Sequence, residues 1–348
     1  MCDLQKAAFC LDDLLRPLHD LRISVTDRCN LRCTYCMPGE VFGRDFVFLR
    51  HAELLSFEEI VRAARQCVAL GVRKIRLSGG EPLLRHGIER LVEMLAGLHG
   101  DDGKPIDLAM TSNATLLAKK ARALKDAGLM RLNISLDALD ENIFRRMTGS
   151  SVSPGTVLEG ISAAQSAGLT PVKVNAVIKR GINESEILPL VRHFRHTGVI
   201  MRFIEYMDVG NTNGWRLDDV VTAKEILARI GSEHLLNPID RQASGGVAQR
   251  WAFQDGGGEI GVISSVTQAF CHTCSRLRLS TDGKLYTCLF ATEGVDLRTL
   301  LRTQSSDDMA LQQRIAATWR CRTDRYSQLR HEMTGTLPGR IEMSYIGG

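Results

Sequence analysis

Residues 21–36 read LRISVTDRCNLRCTYC. The first six alternate, with Leu21, Ile23 and Val25 apolar and Arg22, Ser24 and Thr26 polar. Strand side chains change face at every residue, so Leu21–Thr26 is predicted as a strand with one face for packing and one for polar contacts. Cys29, Cys33 and Cys36 follow at once in the spacing C-x3-C-x2-C. Loops at the C-terminal ends of barrel strands are where such folds carry their chemistry.

Working outward, strand-like runs recur at Lys74–Ser78, Asp107–Thr111, Arg131–Leu136, Val172–Ile178 and Met201–Tyr206. Helical patterns lie between most of them. In Phe57–Leu70, Ser56 and Glu59 form a capping box, Ile60, Ala63, Cys67 and Leu70 form the apolar stripe, and Gly71 stops the helix. Thr115–Ala127 and Pro154–Ala167 end at Gly128 and Gly168, and Asn183 with Glu186 is expected to open another helix. Six alternating β and α elements point to α/β architecture with a parallel sheet. Six units fall short of the eight of a closed TIM barrel, so an incomplete (β/α)6 TIM-like barrel is expected. After Met207 the rhythm breaks into turn-rich stretches at 211–214, 245–246 and 256–258. The expected division is a mobile N-terminus over 1–15, the partial barrel over 16–208, and a smaller α+β region over 209–348 that covers the open end.

The polar residues of these strands carry a second message. Lys74, Arg76 and Ser78 alternate with Ile75 and Leu77; Arg131, Asn133, Ser135 and Asp137 with Leu132, Ile134 and Leu136; Lys173 and Asn175 with Val172 and Val174. A parallel sheet covered on both faces would be apolar nearly throughout. A solvent-facing antiparallel sheet would also alternate, but the intervening helices speak against it. The pattern predicts a lumen for a hydrophilic ligand, with Arg22, Arg76 and Lys173 on its wall. Buried cations call for anions, and phosphates suit them.

The chain has 348 residues, 44% hydrophobic and 24% charged. That is ordinary globular composition and excludes disorder, collagen and coiled coil for the whole. No run reaches the roughly 18 apolar residues of a membrane helix. The first 20 residues lack a signal peptide's basic start and apolar core, so a cytoplasmic location is expected. The formal net charge is only +4, the bases are not blocked, and aromatics are 5%, which argues against a nucleic-acid binder.

Ten cysteines in a cytosolic chain are not expected as disulfides. Cys29, Cys33 and Cys36 can hold three irons of a [4Fe–4S] cube and leave the fourth open; neither ferredoxin run has this spacing. Cys271, Cys274 and Cys288 give C-x2-C-x13-C. Zinc, with His272 as fourth ligand, and a second three-thiolate [4Fe–4S] cluster both fit that spacing. Arg276 and Arg278 stand two apart on a strand-like run and share a face nearby. Cys67 is expected in the core, Cys2 and Cys10 in the mobile N-terminus, and Cys321 in a helical stretch beside Trp319.

The first thiol loop, with Tyr35 before its last cysteine, resembles the radical S-adenosylmethionine superfamily, as does Gly79-Gly80-Glu81-Pro82 after the second strand. With the second thiol group, Arg276-x-Arg278 and the terminal Gly347 and Gly348, residues 15–348 resemble the GTP 3′,8-cyclase (molybdenum cofactor biosynthesis protein A) family. The resemblance implies two [4Fe–4S] clusters, S-adenosylmethionine held by Tyr35, Gly80, Ser135 and Met207, and GTP held by Arg22, Arg76, Thr111, Lys173, Arg276 and Arg278. It implies that the Gly347–Gly348 tail reaches the active site. The implied reaction begins with a 5′-deoxyadenosyl radical that takes hydrogen from C3′ of GTP. The C3′ radical then attacks C8 of guanine to give (8S)-3′,8-cyclo-7,8-dihydroguanosine 5′-triphosphate, the first step of molybdenum cofactor biosynthesis. Implied partners are a downstream cyclic pyranopterin monophosphate synthase and an electron donor such as flavodoxin or ferredoxin; a homodimer is compatible with the sequence. The general base is not identified.

Overall fold

The computed structural model describes residues 10–239, 246–303, 307–330 and 339–348. Cys2 lies outside them. The barrel half runs β1 (Asp20–Ser24), α1 (Phe57–Ala69), β2 (Lys74–Ser78), α2 (Ile88–Ala96), β3 (Asp107–Ser112), α3 (Leu117–Asp126), β4 (Arg131–Ser135), α4 (Glu141–Thr148), α5 (Pro154–Ser166), β5 (Val172–Ile178), α6 (Ile187–Phe194) and β6 (Ile200–Glu205). Then come α7 (Ala223–Gly231), β7 (Leu236–Ile239), β8 (Gln249–Phe253), β9 (Glu259–Ile263), β10 (Arg276–Leu279), β11 (Lys284–Tyr286) and β12 (Val295–Asp296). The chain closes with α8 (Arg298–Arg302), α9 (Asp308–Arg320), α10 (Tyr326–Leu329) and α11 (Met343–Ile346).

All strands join one sheet in the order β12-β11-β10-β1-β2-β3-β4-β5-β6-β9-β8-β7. Strands β1 to β6 pair in parallel with their neighbours, as βαβ crossovers require. The sheet is open, a partial barrel. The region after β6 does not stand apart from it. Strand β9 adds in parallel to β6 at one edge, and β10 adds in parallel to β1 at the other. The C-terminal residues thereby flank the opening from both sides and supply much of its wall.

Local chemistry explains the elements. Ser56 Oγ accepts from Glu59 N at 3.1 Å while the Glu59 carboxylate accepts from Ser56 N at 2.7 Å, the expected capping box. The outward strand residues Leu21, Ile23, Ile75, Leu77, Leu132, Ile134, Val172 and Val174 are buried beneath the helices. Cys67 belongs to this core.

Two expectations change in the structure, and one helix is added. A helix does open after Asn183, as a 3-10 turn over Glu184–Glu186 that runs into α6 at Ile187, but the Asn183 side chain does not cap it: its amide donates to Asp137 O at 2.9 Å and Val177 O at 2.8 Å. Glu186 accepts from Leu139 N and Asp140 N, so both side chains brace the loop after β4. Helix α4, capped by Asp140, was not foreseen. Within residues 10–15, Cys10 and Asp12 are anchored: Cys10 is buried, its backbone bonds to Leu70 and Leu18, and Asp12 pairs with Arg16, while Leu11, Leu14 and Leu15 are exposed.

Candidate active site

The inner face of the sheet encloses a cavity of about 740 Å³. Its wall is cationic by register. Arg22 is paired with Arg76 on one side and Arg278 on the other, so three guanidinium side chains leave three adjacent strands at one level. Strands lie about 4.8 Å apart, so these charges repel. Burial first, then Arg278 and Arg76, pull the Arg22 pKa down. One level on, Thr111, Asn133 and Lys173 form a second row, and Ser135, Asn175 and Arg202 a third. Burial, with Arg202 and Arg131 nearby, lowers Lys173 to about 7. Thr111 Oγ1, Asn133 Nδ2, Asn175 Oδ1 and Arg202 Nε are buried without a hydrogen-bond partner among the described residues. Buried polar atoms are normally satisfied, so these are aimed at a polar ligand.

The first thiol loop lies over the C-terminal ends of the strands. Arg32 N donates to Thr148 O at 2.8 Å and Thr34 N to Met147 O at 2.9 Å, so the end of α4 holds it. Arg32 also donates through its guanidinium to Cys29 O at 2.7 Å and Phe42 O at 2.6 Å. A Cβ on Gly80 would stand 2.2 Å from Arg28 O, so only glycine lets β2's loop approach this closely. Glu81 accepts from Ser112 Oγ, Asn113 N and Leu83 N, tying the ends of β2 and β3 together. Cys29, Cys33 and Cys36 all line the cavity, and burial pushes all three thiols up, Cys29 to about 11. Buried thiols that resist ionisation need a cation to hold them as thiolates, which is what iron supplies. Tyr35 donates its hydroxyl to Asp137 at 2.9 Å.

The second group is built by β10 and β11. Cys271, Cys274 and Cys288 line the cavity with Arg276 and Arg278, whereas His272 is exposed and does not. Burial alone would raise the Cys274 thiol, but Arg276 and Arg322 outweigh it and hold it near 6. Among the described residues no group of three His, Cys, Asp or Glu side chains is gathered as a site for one metal ion.

The chain's end enters the cavity. Arg278 donates to Gly347 O, and Gly348 lines the wall. Gly347 has φ 77°, and a Cβ there would stand 2.2 Å from Ser78 Oγ. The tail is fastened upstream: Glu342 accepts from Asn211 N at 2.9 Å and Thr212 Oγ1 at 3.1 Å, and Arg340 donates to Asp208 O at 2.6 Å.

Residues 23–194 match the Radical SAM superfamily, and residues 199–328 match Molybdenum Cofactor Synthesis C. A GTP 3′,8-cyclase of Acidothermus cellulolyticus is 51% identical, over 97% of this chain and 98% of that one. One from Staphylococcus haemolyticus is 46% identical at the same coverage. The chain belongs to the GTP 3′,8-cyclase family. It is therefore a radical S-adenosylmethionine enzyme of molybdenum cofactor biosynthesis. The superfamily brings one [4Fe–4S] cluster and S-adenosylmethionine. Streptococcus suis SuiB bound to S-adenosylmethionine shares the fold, with TM-score 0.59 at 15% identity over 90% of this chain and 68% of that one.

All residues expected to serve a GTP 3′,8-cyclase site line this one cavity, apart from Gly347, whose carbonyl Arg278 holds beside it. Four further residues were missed. Arg202 alternates with Met201 and Phe203, so its lumenal side was readable from β6. Asn133 and Asn175 stood on the polar strand faces but were not singled out. Arg322 carries no local signal, because only the fold brings it to Cys274.

Proposed function

We propose that this chain binds GTP along the cationic wall and converts it to the 3′,8-cyclo nucleotide. The observation that carries this reading is the level row of Arg22, Arg76 and Arg278, facing the thiol loop. Charge-assisted contacts to phosphate are the strong kind, and three cations side by side on the cavity wall suit a triphosphate. Lys173, Arg276 and Arg202 add charge, and Thr111, Asn133 and Asn175 offer polar contacts to ribose or base.

Cys29, Cys33 and Cys36 would hold the first cluster, and Tyr35, Gly80, Ser135 and Met207 would contact S-adenosylmethionine beside it. When bound, that pair supplies an electron and a carbon-centred radical for removing the C3′ hydrogen of GTP. The chain's own part is to bind, orient and exclude water. The buried wall fixes the ribose, which a reactive radical demands for selectivity. Tyr35, anchored on Asp137, keeps the thiol loop in place. The Gly347–Gly348 tail, held by Arg278, narrows the cavity where the reaction takes place.

We assign Cys271, Cys274 and Cys288 to a second [4Fe–4S] cluster whose open iron would take the guanine ring. The exposure of His272, which does not line the cavity as a fourth ligand, supports this over zinc. Residues 16–208 and 209–348 act as two functional halves on one sheet. The product passes to a cyclic pyranopterin monophosphate synthase, and a flavodoxin or ferredoxin supplies electrons. Among the described residues no helix is long and apolar enough to cross a membrane.

The test is anaerobic reconstitution with iron and sulfide, then incubation with GTP, S-adenosylmethionine and dithionite. Mass analysis should find the cyclised nucleotide and 5′-deoxyadenosine. Unchanged GTP in protein that cleaves S-adenosylmethionine would refute the substrate.

A further inference from the structure

Around Cys274 lies a buried ion network. Arg322 is 3% exposed. It donates to Cys274 O at 2.6 Å and to Cys274 Sγ at 3.1 Å. Its guanidinium also stands 3.6 Å from Asp12 Oδ2 and 3.5 Å from Asp324 Oδ2, and lies 4.6 Å from the Trp319 ring. Both carboxylates are shared. Asp12 takes Arg16 Nε at 2.6 Å, and Asp324 takes the Thr287 hydroxyl at 2.6 Å. Arg16 in turn donates to Cys271 O at 2.9 Å and Asp324 O at 2.8 Å. Each thiol position thus has a tether: Cys271 through Arg16, Cys274 through Arg322, and Cys288 through its neighbour Thr287.

Burying a guanidinium is costly unless its donors are used, and Asp12 and Asp324 already neutralise this one. A purely structural ion pair has no reason to spend a donor on a thiol. We propose that Arg322 is the positioning residue of the second thiol site: it fixes Cys274 toward the metal, and its charge and N–H···S bond stabilise the reduced form of the cluster held there. The inference rests on the two-cluster reading. Reduction adds negative charge to a cluster, and nearby charge and hydrogen bonds to sulfur set its potential. Arg276 and Arg322 both line the cavity, but among the described residues Arg276 has no carboxylate partner of its own there and is open to substrate charge, whereas Arg322 is 3% exposed and flanked by Asp12 and Asp324. Arg322 is bound on its far side by two carboxylates and stays committed.

The experiment is an EPR-monitored redox titration of anaerobically reconstituted full-length protein, parent against Arg322→Met and Arg322→Lys. Parent protein should carry about eight irons and two reducible clusters. Arg322→Met should shift the second cluster to more negative potential and leave the first unmoved; Arg322→Lys, which keeps charge but loses the planar fork, should shift it less. A second-cluster potential unchanged in Arg322→Met overturns the proposal. If that variant does not fold, Arg322→Gln, which removes the charge but keeps a polar side chain, decides, and an unchanged second-cluster potential there overturns the proposal equally. A parent with about four irons and one cluster signal refutes the two-cluster reading itself, a distinguishable failure.

Discussion

Replacing Arg76 by methionine removes the flank of the cationic row while keeping an unbranched stem packed against the wall. Arg76 is held down from its ordinary pKa mainly by burial, with Arg131 and Arg276 adding repulsion and Asp20 offsetting them. In the ligand-free protein its charge is therefore a burden, and the variant should be no less stable than the parent. With GTP bound the sign reverses, because a hydrogen bond to a charged partner contributes about 1.5–3 kcal/mol. At about 1.4 kcal/mol per decade, the loss in GTP affinity is roughly 10- to 150-fold. Anaerobic calorimetry with GTP reads the affinity directly, and a thermal melt without ligand reads the stability. S-adenosylmethionine binding should be unchanged, since the thiol loop does not rest on Arg76. Affinity within about twofold of the parent would refute the phosphate role of the row.

Lys173, lowered to about 7 by burial and then by Arg202, should make GTP affinity fall as pH rises past 7, and Lys173→Met should flatten that dependence in calorimetry. Because its folded pKa lies below the ordinary 10.5, ligand-free stability should decline as pH falls from about 10.5 to 7, a trend that Lys173→Met removes in pH-dependent melts. Gly80→Ala forces a Cβ against the Arg28 carbonyl, and iron content and S-adenosylmethionine cleavage should both drop sharply. Glu342→Ala frees the tail from Asn211 and Thr212; 5′-deoxyadenosine should still form while cyclised product falls about tenfold, read by chromatography of both. Cys321→Ser, at an exposed position, should leave iron content and turnover unchanged.

The strands were legible because their alternation is local, and the polar face it exposed became the cavity wall. Helix α1 was legible because Ser56, Glu59 and Gly71 mark its ends. Asn183 and Glu186 marked the start of a helix correctly, but their side chains brace the loop after β4 instead of capping, and only the tertiary position of Asp137 and Leu139 decides that. The placement of β9 beside β6 and of β10 beside β1 was not readable, since pairing partners far apart in sequence leave no periodic trace. Asp12 and Arg322 belong to this second kind: 310 positions separate them, and nothing near either predicts Cys274 between them.

The central claim is that the cavity presents the C3′ hydrogen of GTP to the radical generated at the first thiol loop. GTP deuterated at C3′, incubated anaerobically with reduced protein and S-adenosylmethionine, tests it by mass analysis of the 5′-deoxyadenosine. The account predicts deuterium in that product; 5′-deoxyadenosine formed without label, beside cyclised nucleotide, would contradict it.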